Sequence, residues 1–135
     1  LVAALEWLAQ EQEEQTGLPY RFSCNHADIE LDPKVATSLF RVAQEACNNI
    51  RKHAQASCIE MRLFDDGHEL LMEIIDNGIG MEGARRDSPR SFGLRGMAER
   101  MTMLGGDFSV VSKPDKGTIV TARLPMDIGR PAAAL

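Results

Sequence analysis

The sequence predicts an α/β fold, a two-layer sandwich in which a mixed sheet of about five strands carries helices on one face. The first observation is that segments with helical spacing of apolar residues alternate with short segments of strand pattern. The second is their order, which is helix, strand, helix, two strands, helix, two strands. A chain of 135 residues is also long enough for one compact domain with its own core.

The first helix is predicted over residues 1–15, and Gly17 and Pro19 end it. Its apolar residues recur on one side, at Val2, Leu5, Leu8 and Ala9. Residues 20–24 then alternate in the manner of a short strand.

The second helix begins at Asp32-Pro33, because Asp is a favourable N-cap and Pro fits the first helical position. Helical spacing continues to about Ala54, through Val35, Leu39, Val42, Ala43, Ala46 and Ile50. Residues 58–64 and 69–75 follow as two strands of a hairpin, and the second is nearly all apolar, so we expect it at the centre of the sheet.

A polar loop, predicted over residues 77–92, precedes the third helix. Apolar spacing marks that helix at Leu94, Met97, Ala98, Met101 and Leu104, and Gly105-Gly106 ends it. Residues 108–112 and 118–124 form the last hairpin, and a tail from residue 127 to residue 135 shows no pattern and is expected to be loose.

Composition and charge exclude several classes of protein. The net charge of -5, with both signs scattered, gives no sign of a nucleic-acid-binding surface. Cys24, Cys47 and Cys58 are odd in number and lack CxxC spacing, which favours free thiols in a reducing compartment. No apolar run would cross a bilayer, so we expect a cytoplasmic domain without membrane contact of its own.

Three polar residues fall on one stripe of the second helix. At about 100° per residue, Glu45, Asn49 and Lys52 point the same way along the edge of the apolar arc. A carboxylate, an amide oxygen and an ammonium group suit a site for Mg²⁺ and phosphate, whereas a solvated helix edge explains them equally well. His53 is expected to pack at the rim of the apolar face.

Two glycine-rich segments add to this pattern. Asp76 ends an apolar strand, and Gly78 and Gly80 after it allow a close backbone approach, although an ordinary turn has the same look. Gly93 and Gly96 lie around the predicted start of the third helix, where free N–H groups bind phosphate, or where a boundary merely needs flexibility.

In combination, these segments resemble the Bergerat ATP-binding fold shared by DNA gyrase, MutL and histidine kinases. The matching positions are Glu45-x-x-x-Asn49, Asp76-x-Gly78-x-Gly80, Gly93-Leu94-x-Gly96-Met97 and Gly117-Thr118. The phrases QEACNNIRKHA, DNGIGM, GLRGMAERM and KGTIVTARLP are similar to those of sensor histidine kinases that partner NarL-type response regulators. The resemblance covers about residues 32–125.

The resemblance implies a role for each matching residue. Asp76 would accept the adenine amino group, assisted through water by Thr118 and Gly80. Asn49 would bind Mg²⁺, Lys52 would contact phosphate, and residues 93–97 would close over it. Glu45 matches the residue that activates water in the ATPase relatives, or it only orients Mg²⁺ and its waters.

The resemblance also implies what lies outside the chain. Residues 1–16 would connect to dimerisation and phosphoacceptor helices upstream, residues 17–126 would form the ATP-binding domain, and a NarL-type regulator would be the parent's partner. None of His26, His53 and His68 has the context of an acceptor histidine. A protein-serine kinase of anti-sigma type, a stand-alone ATPase and an interaction module without nucleotide are the alternatives.

Overall fold

The computed structural model describes residues 1–80 and 89–131 of the chain. Four α-helices, a π turn and five strands make up these parts. In chain order they are α1 (Val2–Thr16), β1 (Tyr20–Cys24), α2 (Pro33–Asn49), the π turn (Ile50–Ala54), β2 (Ile59–Asp65), β3 (Glu69–Asp76), α3 (Pro89–Leu104), β4 (Asp107–Lys113), β5 (Gly117–Pro125) and α4 (Met126–Gly129).

The five strands form one mixed sheet in the order β1-β2-β3-β5-β4. β1 pairs parallel with β2, and the other neighbours pair antiparallel. β3 lies at the centre, as its apolar sequence predicted. The α/β class and the mixed five-strand sheet are therefore confirmed.

The helices cover one face of the sheet. Along β3, Leu70, Met72 and Ile74 are buried and alternate with half-buried residues of the opposite face. These side chains share one core with the buried residues of α1, α2 and α3. Asp76 continues the buried alternation, so its side chain points to the helix-covered face.

α1 is part of this core. Leu5, Leu8 and Ala9 are at most 3% exposed, and the Tyr20 N–H donates to the Glu13 carboxylate over 3.2 Å. Gly17 ends the helix in the left-handed region, at φ 73°. The helix predicted as a connection thus packs with the strands of the predicted ATP-binding domain.

The second helix has the predicted cap and extent but not one uniform pitch. The Asp32 side chain accepts the Lys34 N–H at 2.9 Å, with Pro33 following. After Asn49 the backbone changes to a π turn, and Gln55 closes it at φ 50°. π turns of this kind often occur at functional sites.

Two boundaries differ from the predicted ones. α3 begins at Pro89 rather than near Leu94, and residues 81–88 of the predicted loop lie outside the described residues. The start of the expected loose tail folds as α4, because Met126 is buried and the Asp32 N–H donates to the Gly129 carbonyl over 2.9 Å. Residues 132–135 are not among the described ones.

Candidate functional site

Asp76 lies at the end of the central strand, 4% exposed. Strand register places it directly opposite Thr118 of β5, which is 3% exposed. The Asp76 Oδ1 atom accepts the Gly78 N–H at 2.9 Å, and the Thr118 hydroxyl lies 3.2 Å from the Ser112 hydroxyl, to which it donates. A buried carboxylate and a buried hydroxyl therefore lie side by side where β3 ends and β5 begins, on the helix-covered face of the sheet.

The turn after β3 packs on the π turn through Gly78. A Cβ atom at Gly78 would overlap the Ala54 carbonyl group, and the Ile79 N–H donates to that same Ala54 oxygen over 2.8 Å. This contact fixes the strand end that carries Asp76 against the end of the helix that carries Asn49.

The hairpin between β4 and β5 closes on the same turn. Gly80 has φ +80°, and a Cβ atom there would crowd the Lys113 carbonyl and the Ser112 hydroxyl. The Asp115 N–H donates to the Ile79 carbonyl over 3.0 Å. Gly117, at φ +92°, would overlap the Asp76 carbonyl if it carried a side chain. Gly117, which lies before the second strand of the last hairpin, thus packs directly on the Asp76 backbone.

Glu45 and Asn49 lie together on α2, as their helical spacing predicted, and α3 covers them at Gly93. A Cβ atom at Gly93 would stand 2.6 Å from the Glu45 Oε1 atom and 3.3 Å from both polar atoms of the Asn49 amide. Asn49 is 7% exposed. Its Nδ2 atom has no hydrogen-bond partner within the part of the chain that the structure describes.

Lys52 departs from the predicted stripe. It lies in the π turn, whose wider pitch does not follow the 100° spacing that aligned it with Asn49. Its side chain is exposed, while the neighbouring His53 is half-buried. The structure therefore brings Glu45 and Asn49 together and leaves Lys52 toward solvent.

The glycines of α3 lie inside the helix rather than at its start. Because α3 begins at Pro89, Gly93 and Gly96 are its fifth and eighth residues, and the free N–H groups of a helix are those of its first four residues. The prediction that these glycines surround the helix start is wrong. Leu94 packs half-buried against the core, and Met97 is 1% exposed within it.

A cavity of about 800 Å³ opens between α2 and α3. Its walls include Arg41, Glu45 and Asn48 from α2, and Gly93, Gly96 and Arg100 from α3. No pattern in the sequence singled out Arg41, Asn48 or Arg100. The cavity adjoins Asn49 through Gly93.

Two titratable groups in the core beside the site have raised pKa values because they are buried. Burial raises the pKa of the Cys47 thiol to about 12. Burial is also the main cause that raises the pKa of Tyr20 to about 12, with the nearby Cys47 adding to it. All three cysteines are free, and neither Cys47 nor Tyr20 offers an anionic nucleophile near neutral pH.

Residues 34–128 match the family described as "Histidine kinase-, DNA gyrase B-, and HSP90-like ATPase". The chain belongs to this family. Sensor histidine kinase MctS of Rhizobium johnstonii is 38% identical over 133 residues, which are 97% of this chain and 29% of that protein. The histidine-protein kinase/phosphatase DegS of Brevibacillus brevis is 33% identical over 126 residues, which are 93% of this chain and 32% of that protein.

The chain spans about a third of the length of these curated relatives. Among solved structures, the histidine kinase domain of a blue-light activated kinase from Erythrobacter litoralis matches with a TM-score of 0.76 at 18% identity, over 93% of this chain and 61% of that one. The nucleotide-free catalytic domain of histidine kinase ThkA matches with a TM-score of 0.67 at 14% identity, over 92% and 90%. The fold is thus that of histidine kinase ATPase domains.

The residues of this ATPase-family site fit a magnesium ion. No group of three or more His, Cys, Asp or Glu side chains forms a metal site in residues 1–80 and 89–131. Mg²⁺ does not need one, since one or two protein oxygens, waters and phosphates hold it. The buried Asn49 amide lies beside the Glu45 carboxylate, and it can rotate to present its oxygen where Nδ2 now lies.

The helices of the described residues include none long and apolar enough to span a bilayer.

Proposed function

We propose that this chain is the ATP-binding catalytic domain of a two-component sensor histidine kinase, which transfers the γ-phosphoryl group of Mg-ATP to a histidine outside this chain. One observation carries the proposal. The buried carboxylate of Asp76 and the buried amide of Asn49 face the same helix-covered side of the sheet, and the contact of Gly78 and Ile79 with Ala54 links the two elements.

Asp76 recognises the purine. Its carboxylate accepts a hydrogen bond from the amino group of adenine, which supplies a donor for a carboxylate that strand register holds in the core. Thr118 and Gly80 line the same end of the sheet and assist through water. A guanine base, which presents a carbonyl oxygen at the corresponding position, would meet a second acceptor there and is excluded.

Asn49 and Glu45 serve the metal end. The Asn49 amide oxygen would hold Mg²⁺, and Glu45 would orient the ion or its waters. When bound, the ion neutralises charge on the phosphate oxygens. Lys52 contacts phosphate from its exposed position at the π turn, and residues 93–97 close over the nucleotide. Since α3 covers Asn49 here, its first turns shift when Mg-nucleotide enters.

The transfer itself needs positioning and charge neutralisation rather than a protein nucleophile. The unprotonated nitrogen of the acceptor imidazole supplies the electron pair for the new N–P bond, and the oxygen bridging the β- and γ-phosphorus atoms leaves with ADP. His68 is the one histidine of the chain followed by an acidic residue, and it lies in the exposed β2–β3 turn, which hydrogen bonds to Asp66 organise. The acceptor therefore belongs to dimerisation helices of the parent protein, in the cytoplasm, and the phosphoryl group passes on to a NarL-type regulator.

Binding of Mg-ADP tests the proposal. At a concentration 100 times its Kd, a ligand that binds only the folded state adds about 2.7 kcal/mol, or roughly 10 °C in melting temperature for a domain of this size. We expect Asp76→Asn to lose most of this shift, because the substituted amide offers the adenine amino group a weaker acceptor. Asp107→Asn, an exposed site on β4, is the matched control and keeps the shift.

If Mg-ADP does not raise the melting temperature of the parent chain, the result would instead favour the interaction module without nucleotide. Steady ATP hydrolysis by the chain alone would favour the stand-alone ATPase, and transfer to a serine would favour the anti-sigma type of kinase.

A further inference from the structure

A cavity of about 310 Å³ lies between the C-terminal end of α1, the start of β1 and the π turn. This volume is at the lower end of the roughly 300–1,000 Å³ that is typical of ligand pockets. The residues that line it are different from those that line the α2–α3 cavity. The α1–π-turn cavity is therefore a candidate site for a small molecule outside the nucleotide site.

The floor of the α1–π-turn cavity is buried and its rim is exposed. Tyr20 and Ile50 are each 7% exposed, whereas the side chains of Gln15, Arg51 and Gln55 are exposed. A small molecule that enters between the rim residues would therefore bury its surface against the floor, where the hydrophobic effect favours an apolar group.

The Tyr20 hydroxyl is a buried polar group without a partner. It forms no hydrogen bond within the part of the chain that the structure describes, whereas a buried Tyr hydroxyl usually has one. Burial is the main cause that raises the pKa of Tyr20 to about 12, with Cys47 adding to the rise and Arg51 opposing it. The hydroxyl therefore keeps its proton at neutral pH and offers a hydrogen-bond donor.

Arg51 gives the same cavity a positive charge. One of its N–H groups donates to the Asn48 Oδ1 atom over 3.0 Å, which orients the guanidinium group and leaves other donors of its fork. Arg51 makes no ion pair within residues 1–80 and 89–131. The lining residues that the structure describes include no carboxylate, so the cavity is cationic in a chain whose net charge is -5.

The groups around the cavity define the class of ligand. A guanidinium group and a protonated hydroxyl are both donors, so both suit the oxygens of one anion. The planar fork of a guanidinium group matches a carboxylate. Leu18, Ile50 and Ala56 pack with the core and line the same space, which suits an apolar body attached to that carboxylate.

We infer that the α1–π-turn cavity is a binding site for a small carboxylate with an apolar body, which the Tyr20 hydroxyl and the Arg51 guanidinium hold. Tyr20 belongs to β1 and Arg51 to the π turn, so tertiary packing brings the two donors to one space. The site shares no residue with the proposed nucleotide site, and its ligand binds whether or not a nucleotide is present.

The test uses benzoate as the probe and benzamide as its neutral counterpart of the same shape. In a titration of the whole chain followed by amide NMR, we expect benzoate to bind saturably with a Kd of about 1 mM. The largest shifts should occur at Thr16, Leu18 and Ile50, which line the cavity. Benzamide should bind about 10-fold more weakly, because it lacks the charge that pairs with Arg51.

Two variants remove the donors one at a time. Tyr20→Phe removes only the hydroxyl and Arg51→Met only the charged group, and we expect each to weaken benzoate binding about 10-fold. Arg21→Met is the matched control. Arg21 follows Tyr20 in β1 but is exposed on the opposite face of the sheet, so its loss should leave the benzoate affinity unchanged.

A further variant tests the space rather than the charge. Gln15→Trp places a large side chain at an exposed position of the cavity rim, and we expect it to weaken benzoate binding about 10-fold or more. Glu14→Trp is its control, because Glu14 is also exposed on α1 but does not line the cavity.

Several outcomes would overturn the carboxylate site. They are benzoate binding that does not saturate, equal affinities for benzoate and benzamide, and donor variants that both keep the parent affinity. Shifts centred on Glu45 and Asn49 would also overturn it, because they would place the probe in the nucleotide site.

Melting curves without the probe establish that each variant is folded. Tyr20→Phe should melt no lower than the parent, because its hydroxyl has no partner among the described residues to lose. A lower melting temperature would mean that the hydroxyl is already hydrogen-bonded in the free chain, which contradicts its role as a donor kept for a ligand.

Discussion

The two ends of the candidate site differ in the groups that form them. The base end, around Asp76, consists of backbone in close contact: glycines at 78, 80 and 117 approach carbonyl groups, and strand register sets Asp76 opposite Thr118. The phosphate end consists of side chains on α2 and α3, with an unpartnered amide among the described residues, exposed arginines and a cavity of about 800 Å³.

The two ends should therefore respond differently to substitution. Backbone hydrogen bonds and strand pairing form the base end before any ligand arrives, so changes there should affect folding. The phosphate end holds the Asn49 Nδ2 atom, which has no hydrogen-bond partner among the described residues. Changes there should therefore affect ligand binding and spare or even favour folding.

The largest expected effect is on stability, at Gly117 of the base end. In Gly117→Ala the new methyl group would overlap the Asp76 carbonyl at a positive φ, and we expect the free energy of unfolding to fall by about 3 kcal/mol or more. Urea unfolding measures it. Gly67→Ala is the control, with φ +91° but nothing within 4 Å of its Cβ position, and should cost about 1 kcal/mol. Equal losses in both variants would mean that the contact with Asp76 is loose.

The next effect concerns alkaline pH and the core beneath α2. The folded-state pKa of Cys47 is raised from 9.0 to about 12 by burial, so the folded chain keeps a proton that the unfolded chain releases above pH 9. This contribution to stability is complete below pH 9 and is lost as the pH rises from 9 toward 12, at roughly 1 kcal/mol per pH unit. Tyr20 adds a loss of the same sign above its ordinary pKa of 10.0.

Urea unfolding at about pH 8 and at about pH 10, on either side of the ordinary thiol pKa, measures this slope. Cys47→Ala starts from a lower stability because it leaves a small cavity, yet it should lose less between the two pH values. The same loss in the variant and the parent would show that the buried thiol is not its source.

Much of the fold followed from local patterns, and so did the base end. Apolar periodicity and the Asp32-Pro33 cap predicted α2, and an acid at the end of an apolar strand marked Asp76. The start of α3 also has a signal in the sequence, since Ser88-Pro89 repeats the pattern of a capping residue followed by Pro.

The phosphate end was less predictable for a physical reason. The backbone changes from α to π pitch after Asn49, and the Ala54 carbonyl at the end of the π turn accepts the Ile79 N–H, which lies far along the chain. Arg41 and Arg100 look like ordinary solvated residues on their own helices, and only tertiary packing brings them to one cavity. The spacing of residues predicts one helix or strand at a time. It therefore does not show which residues of two different elements line the same cavity.

The smallest expected effect is also the sharpest test of the comparison, since it has opposite signs at the two ends. Asn49→Leu replaces a buried amide, whose Nδ2 atom has no partner in the part of the chain that the structure describes, with an apolar group of similar shape. We expect the chain without nucleotide to gain about 1 kcal/mol while losing the melting shift with Mg-ADP. Asn77→Leu is the matched change at the base end. Its amide accepts the Ser57 and Cys58 N–H groups at 2.9 and 3.0 Å and donates to the Ser57 hydroxyl over 2.8 Å.

Losing those bonds should cost Asn77→Leu about 1–3 kcal/mol, as urea unfolding of both variants will measure. The sign follows from hydrogen bonding rather than from burial, because Asn77 is the exposed residue of the two and Asn49 the buried one. A loss of stability in both variants would mean that the Asn49 amide contributes to the fold itself. The phosphate end would then be as much a part of the folded framework as the base end, and its polar groups would need no ligand to explain them.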